Sequence, residues 1–363
     1  MSTINEIFQQ VEVLLKQDKI HQATLLLFDL YSHPDGNQFD WFGFYKNTLS
    51  HWEGSLNMLR IMTVYGLVLL QTPSENALHF TEYLLERHEN MKSHVLECSL
   101  ILRSLQMIHR VFLHQVSLYE RFQMNEIVDV INAHPLPELS LFGSLLEAYF
   151  EQEFQAYELA FSHFNRALAS FGPAAVPVRI ELRDDLVRSM LVAGIKAPQI
   201  TFLGDLLVDY NVQALCHSEE DFDYLLRNIV DGNIEAIKNM PEQQLFNKEL
   251  LLEKVRLAAL LKLIIQTMGE KRPIMIEEIQ KELGLSLFDT HAIIVKAIAN
   301  NLITGCIDQI EGVVHVTGTK SRPMSMHEMG NMLTALKRIR TNIDHGEAQL
   351  RESATNELNK LAY

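Results

Sequence analysis

Along residues 3 to about 240, apolar side chains recur three and four positions apart in segments of helix length, and Pro, Gly, Asn or Asp separates each segment from the next. This pattern predicts a succession of amphipathic helices. In PSENALHFTEYLLERHENM, Ala77, Leu78, Phe80, Tyr83 and Leu84 share one face, Glu75, Glu82, Glu86 and Arg87 point outward, and Ser74 is placed to cap. The next segment repeats the plan, with Ser93 as its cap and Val95, Leu96, Cys98, Leu102, Leu105 and Ile108 as its stripe. The aromatic run Trp41, Phe42, Phe44 and Tyr45 fits packing between helices better than a ligand box.

FEQEFQAYELAFSHFNRALASFG sets Tyr157, Leu159, Phe161, Phe164, Ala167 and Leu168 at helical spacing, a loose echo of the second helix of a tetratricopeptide pair. No strict period of about 34 residues runs through the chain. The expected architecture is therefore mainly α, an irregular solenoid of TPR-like helical repeats over residues 1–240 in which each helix pair buries its face against its neighbours. A long helix, PEQQLFNKELLLEKVRLAALLKLIIQTMG, is expected to start with Pro241 in its first turn and to end at Gly269. Apolar residues occupy nearly every face from Leu257 to Ile265, which predicts burial on more than one side and a helix that joins two domains.

The pattern then changes. IMIEEIQKELG reads as a short helix, and SLFDTHAIIVKAIANNL as another, with Ser286 and Asp289 spaced as a capping box and Ile294, Val295, Ile298 and Leu302 as a buried stripe. Ile303–Asp308 and Gly312–Thr317 follow as two β-rich runs separated by a short turn. Helices followed by a hairpin predict a winged-helix domain over residues 241–320, including the linking helix. From Met326 to Tyr363 the chain reads as one long helix or two, and Met329, Met332, Leu336, Ile339, Ile343 and Leu350 fall at steps of 3, 4, 3, 4 and 7. That is a heptad seam, interrupted at Gly346, and it needs partner helices. Residues 321–363 are thus expected to form a C-terminal bundle helix.

Charge narrows the possible functions. The net charge is −15, and residues 1–252 carry 33 acids against 17 Lys and Arg, while residues 253–324 are nearly balanced, with 9 basic and 8 acidic side chains. An acidic body repels phosphate backbones. The would-be recognition helix, residues 286–302, holds one lysine, Lys296, one acid, Asp289, and no arginine, so nucleic acid is not an expected ligand. Phosphate-binding glycine loops and the nucleophile elbow are absent, and His327-Glu328 fails as a zincin motif because Asn331 stands where the second histidine would be. The acids of SEEDFDY lack the ligand spacing of a calcium loop and read as a helix first turn. Cys98, Cys216 and Cys306 lie far apart and read as buried free thiols, and Cys216-His217 has no second pair to complete a site. No catalytic, cofactor-binding or metal residue is expected, nor a membrane span or signal segment, and the expected location is cytoplasmic and nuclear.

The stretches VRLAALLKLI, IMIEEIQKELGLS and HAIIVKAIANNLITGCIDQIEGVVHV, and above all Asn301 to Gln309, resemble the PCI family of scaffold subunits shared by the proteasome lid, the signalosome and a translation initiation complex. Upstream, LYSHPDGNQFDWFGFYKNTLSHWEGSLNML, SENALHFTEYLLERH, ITFLGDLLVDYNVQAL and FDYLLRNIVDGNIEAIKNM, with its Asp231-Gly232-Asn233 turn, resemble members from the proteasome lid. The resemblance implies a non-catalytic scaffold subunit without cofactors. Its implied partners are other lid subunits of PCI and deubiquitinase type, the proteasome regulatory particle and the core. Val313, Val314, His315 and Val316 would form an exposed strand edge for a neighbour's sheet, and the seam from Met329 to Leu350 would enter a helical bundle. A signalosome or initiation-factor subunit is the alternative within the family, and a nucleic-acid-binding winged-helix regulator is the alternative outside it.

Overall fold

The computed structural model describes residues 4–52, 57–90, 95–134, 136–171, 178–240, 247–269, 273–320 and 326–361. The helical spacing of the first 240 residues is realised as α1 (Ile4–Lys16), α2 (Ile20–Ser32), α3 (Trp41–Asn47), α4 (Met58–Leu70), α5 (Ser74–Glu89), α6 (Leu96–Phe112), α7 (Leu118–Ala133), α8 (Pro137–Glu153), α9 (Tyr157–Ala169), α10 (Ile180–Lys196), α11 (Tyr210–Ser218), α12 (Glu220–Val230) and α13 (Ile234–Lys238). Chain neighbours pack in pairs, as α5 does on α6, α8 on α9 and α9 on α10. Alternate helices also touch, α2 with α4, α4 with α6 and α6 with α8. This double contact is how a helical repeat buries a stripe that no single pair could cover.

The aromatic run is core. Trp41 and Tyr45 are buried, Tyr65 Oη donates to the Trp41 carbonyl at 3.0 Å, Trp41 Nε1 donates to the Gly36 carbonyl at 2.9 Å, and Phe42 stacks on Phe80 with centroids 4.2 Å apart. Both polar handles are thereby satisfied, which lets the rings stay inside. Helix ends depart from expectation in places. Ser74 is the first helical residue and Pro73 the cap, with no side-chain cap bond, because proline's fixed φ already sets the entry. Ser93 and Pro241 lie outside the described residues.

Helix α14 (Lys248–Gly269) joins two hydrophobic cores. Leu251 and Val255 belong to the solenoid core, whereas Leu257, Leu260, Leu261 and Ile264 belong to a second core that also holds Ile279, Ile294, Leu302 and Val314. Burial on several faces, expected from the sequence, is what this double duty requires. Lys254 fastens the joint: it is 2% exposed, and its Nζ donates to the carbonyls of Gly194 at 2.8 Å, Ala197 at 2.6 Å and Ile200, at the end of α10. Burial lowers its pKa to about 8, and the carbonyls supply the polar shell that a buried ammonium needs. A second fastening lies at Gly232, where the backbone has φ +70° and a Cβ would sit 2.5 Å from the backbone nitrogen of Ala259.

Beyond α14 come β1 (Ile274–Met275), α15 (Ile276–Leu283), α16 (Leu287–Ala299), β2 (Ile303–Asp308) and β3 (Val313–Thr319). Ser286 caps α16 as expected, accepting the Asp289 N–H at 3.2 Å, while its hydroxyl donates to the Asp289 carboxylate at 2.7 Å. The three strands form an antiparallel sheet in the order β1-β3-β2, with a bulge at Thr304/Gly305. Strand β1 was expected as part of a helix, since two residues are too few to display a period of two. A single helix, α17 (Met326–Leu361), closes the described chain and runs through Gly346.

Candidate assembly interface

The wing differs from the expected exposed edge. Strand β3 is central: Val314 pairs with Ile274 on one side and Ile307 on the other, and Val313 with Met275 and Asp308. Val313 and Val314 are accordingly 5% and 1% exposed and belong to the interior, so these two cannot offer an edge. His315 and Val316 lie past the described end of β1, where Pro273, lacking an N–H, precedes Ile274 and can donate no ladder bond. His315 is exposed and Val316 half-buried against the second core. Among the described residues, the main chain with no strand neighbour on one side is β2, at its outer edge, and β3 from His315 onward, on the side away from β2.

The outer face of α16 was missed. Leu287, Phe288 and Val295 are 53%, 82% and 55% exposed, and Ile310 in the wing turn is 98% exposed. Val295 had been expected in the buried stripe. The face is legible in hindsight, because LFDTHAIIVKAIA has apolar residues on more of its circumference than one stripe needs, and Ile293, Ile294 and Ala297 already fill the inward side. Its one lysine, Lys296, is ion-paired with Glu253, so this helix presents no unpaired cation to a phosphate.

The seam of α17 is open to water along its described length. Met329 is 44% exposed, Met332 and Leu336 53%, Ile339 54%, Ile343 63% and Leu350 73%. At the root of this helix, Lys320 ties the end of the wing to the solenoid, 3.2 Å from the Asp205 carboxylate and 5.2 Å over the Phe202 ring. These six apolar side chains in heptad register stay exposed among the described residues, an apolar stripe of the kind that helix partners cover.

The cysteines correct another expectation. Only Cys98 is buried, Cys216 is half-buried and Cys306 is exposed. Burial pushes the Cys98 thiol up to about 12 and raises Cys216 above its usual value, so neither is an activated nucleophile.

Comparison with known proteins bears on this geometry. The family model described as "PCI domain" matches residues 223–317, from within α12 to the middle of β3. A Dictyostelium discoideum protein, 26S proteasome non-ATPase regulatory subunit 13, is 23% identical over 163 residues, 42% of this chain and 42% of that protein. Homolog B of the same subunit from Arabidopsis thaliana is 28% identical over 86 residues, 24% of this chain and 22% of its own length. The probable 26S proteasome regulatory subunit rpn9 of Schizosaccharomyces pombe is 28% identical over 94 residues, 26% of this chain and 25% of its own. The chain thus covers less than half the length of each of these relatives. The stretch that matches the PCI-domain model thus runs through the solenoid end, the linking helix and the winged helix of this chain.

Proposed function

We propose that this chain is a non-catalytic scaffold subunit of the proteasome regulatory lid, acting in ubiquitin-dependent protein degradation. The observation that carries the reading is the similarity, centred on a PCI domain, to proteins each named as proteasome regulatory subunits. The division of labour follows the chain: the solenoid of residues 1–240 is the arm, the winged helix of 241–320 the lateral contact, and the helix of 321–363 the bundle element. The wing contributes main-chain pairing through β2 and through His315 and Val316, and the apolar face of α16 adds side-chain contact. The seam from Met329 to Leu350 docks against helices of neighbouring PCI and deubiquitinase-type subunits. The working location is then the cytoplasm and nucleus; among the described residues no helix is long and apolar enough to cross a membrane.

The test is affinity purification of the tagged chain, full-length and truncated after residue 325, followed by mass spectrometry. The full chain should bring down lid, ATPase and core subunits together, and the truncated chain should fold but lose them. Recovery of signalosome or initiation-factor subunits in place of the proteasome would overturn the choice of complex, and undiminished recovery with the truncation would overturn the role of α17.

A further inference from the structure

The tip of the wing carries an inference independent of any assembly. Asp308 ends β2, Glu311 lies in the turn and His315 is the third residue of β3, and one ligand atom from each lies within 4.8 Å of the other two. The turn fixes this grouping, because one Asp308 carboxylate oxygen accepts the backbone N–H of Ile310 at 2.9 Å and of Glu311 at 3.0 Å. Among the described residues, the second Asp308 oxygen accepts no hydrogen bond. Across the ladder from His315, in register, stands Cys306, the one exposed cysteine, so a thiol shares the face of the imidazole.

We propose that Asp308, Glu311 and His315 form a binding site for a zinc-class divalent cation. Two carboxylates this close repel each other, and a cation between them reverses the sign of that interaction. The imidazole nitrogen sets the class of ion, since calcium and magnesium take oxygen donors throughout, whereas Zn2+ and Co2+ accept mixed nitrogen and oxygen sets. Donor atoms around a tetrahedral zinc lie about 3.4 Å apart, so the grouping closes by rotation of Glu311 and His315, both exposed. The ion then has three protein ligands and an open fourth position beside the exposed Ile310. It cross-links the two long strands of the wing at their tip, adding to the Asp308 bonds that hold the turn.

The experiment is titration of the chelator-treated full chain with Zn2+ alone, by calorimetry, beside the variants His315→Gln and Glu311→Gln. The wild type should bind one equivalent more tightly than any other, and each variant should weaken that equivalent at least tenfold. Because both side chains are exposed, thermal unfolding of the variants without metal should match the wild type, which separates loss of a ligand from loss of the fold. An adventitious ion only, seen as identical isotherms for wild type and variants across the 15 histidines of the chain, would overturn the site. Displacement of Zn2+ by equimolar Mg2+ would overturn the class of ion.

Discussion

His109 lies in the last turn of α6 at 0% exposure, and among the described residues neither ring nitrogen has a hydrogen-bond partner. Burial lowers its pKa from 6.5 to about 4. The folded state therefore resists a proton that the unfolded chain accepts, so the full stability is present above pH 6.5 and is lost as the pH falls from about 6.5 to about 4. The loss over that window is on the order of 3 kcal/mol. His109→Leu should flatten the pH dependence of the urea midpoint between pH 6.5 and 4, and should raise stability at pH 7 by about 1–2 kcal/mol by removing unpaired polar atoms. An unchanged slope would show that another group controls it. Two glycines make a matched pair. Gly284, with φ +61°, ends α15 in the left-handed conformation and has nothing within 4 Å of a Cβ, whereas Gly232, with φ +70°, abuts the backbone of Ala259. Alanine at Gly284 should cost about 1 kcal/mol from backbone strain alone. At Gly232 it should cost at least about 2–3 kcal/mol, because the helix α14 backbone must move as well; equal costs in chemical denaturation would sink the close-approach argument.

At the level of elements, the proposed role of the α17 seam predicts that folding and assembly come apart. Ile339 is 54% exposed and, among the described residues, belongs to neither hydrophobic core, so Ile339→Asp should leave the melting temperature of the isolated protein within about 1 °C and, on the proposed function, still abolish co-purification of partner subunits. A large drop in melting temperature would mean that the seam already packs within the chain. The helices and β2 were legible in the sequence because a stripe of apolar residues at a period of 3.6, or β-rich residues bounded by turn residues, records one-sided burial directly. Residues such as Leu78, Tyr83 and Phe80 in α5 needed no tertiary information. The errors occurred where burial depends on a distant partner. Strand β1 has two residues and exists only because β3 offers an edge, and its presence is what takes Val313 and Val314 out of the surface. Val295 looks like core on its own helix and is outside because Ile293, Ile294 and Ala297 fill the space between α16 and its neighbours. The grouping of Asp308, Glu311 and His315 was invisible for the same reason, since their spacing matches no ligand motif until the hairpin folds.

For the whole molecule the decisive element is α14. The solenoid core ends at Val255 and the winged-helix core begins at Leu257, so the two share one uninterrupted helix with Arg256 between them. Their unfolding should be coupled, giving a single calorimetric transition. Arg256→Pro removes one i→i−4 bond and costs about 3 kcal/mol or more; it should split the transition in two, and a single transition in that variant would show that contacts such as Lys320 with Asp205 suffice for coupling. A shared helix also converts chain length into angle. Each added residue turns everything beyond it by about 100° and advances it by about 1.5 Å, so one alanine inserted after Val255 would swing the wing and the root of α17 around the solenoid without altering a single residue of either core. Helix α14 thus acts as a phase setting: its side chains can vary within their volumes, but its residue count fixes the direction in which the wing points.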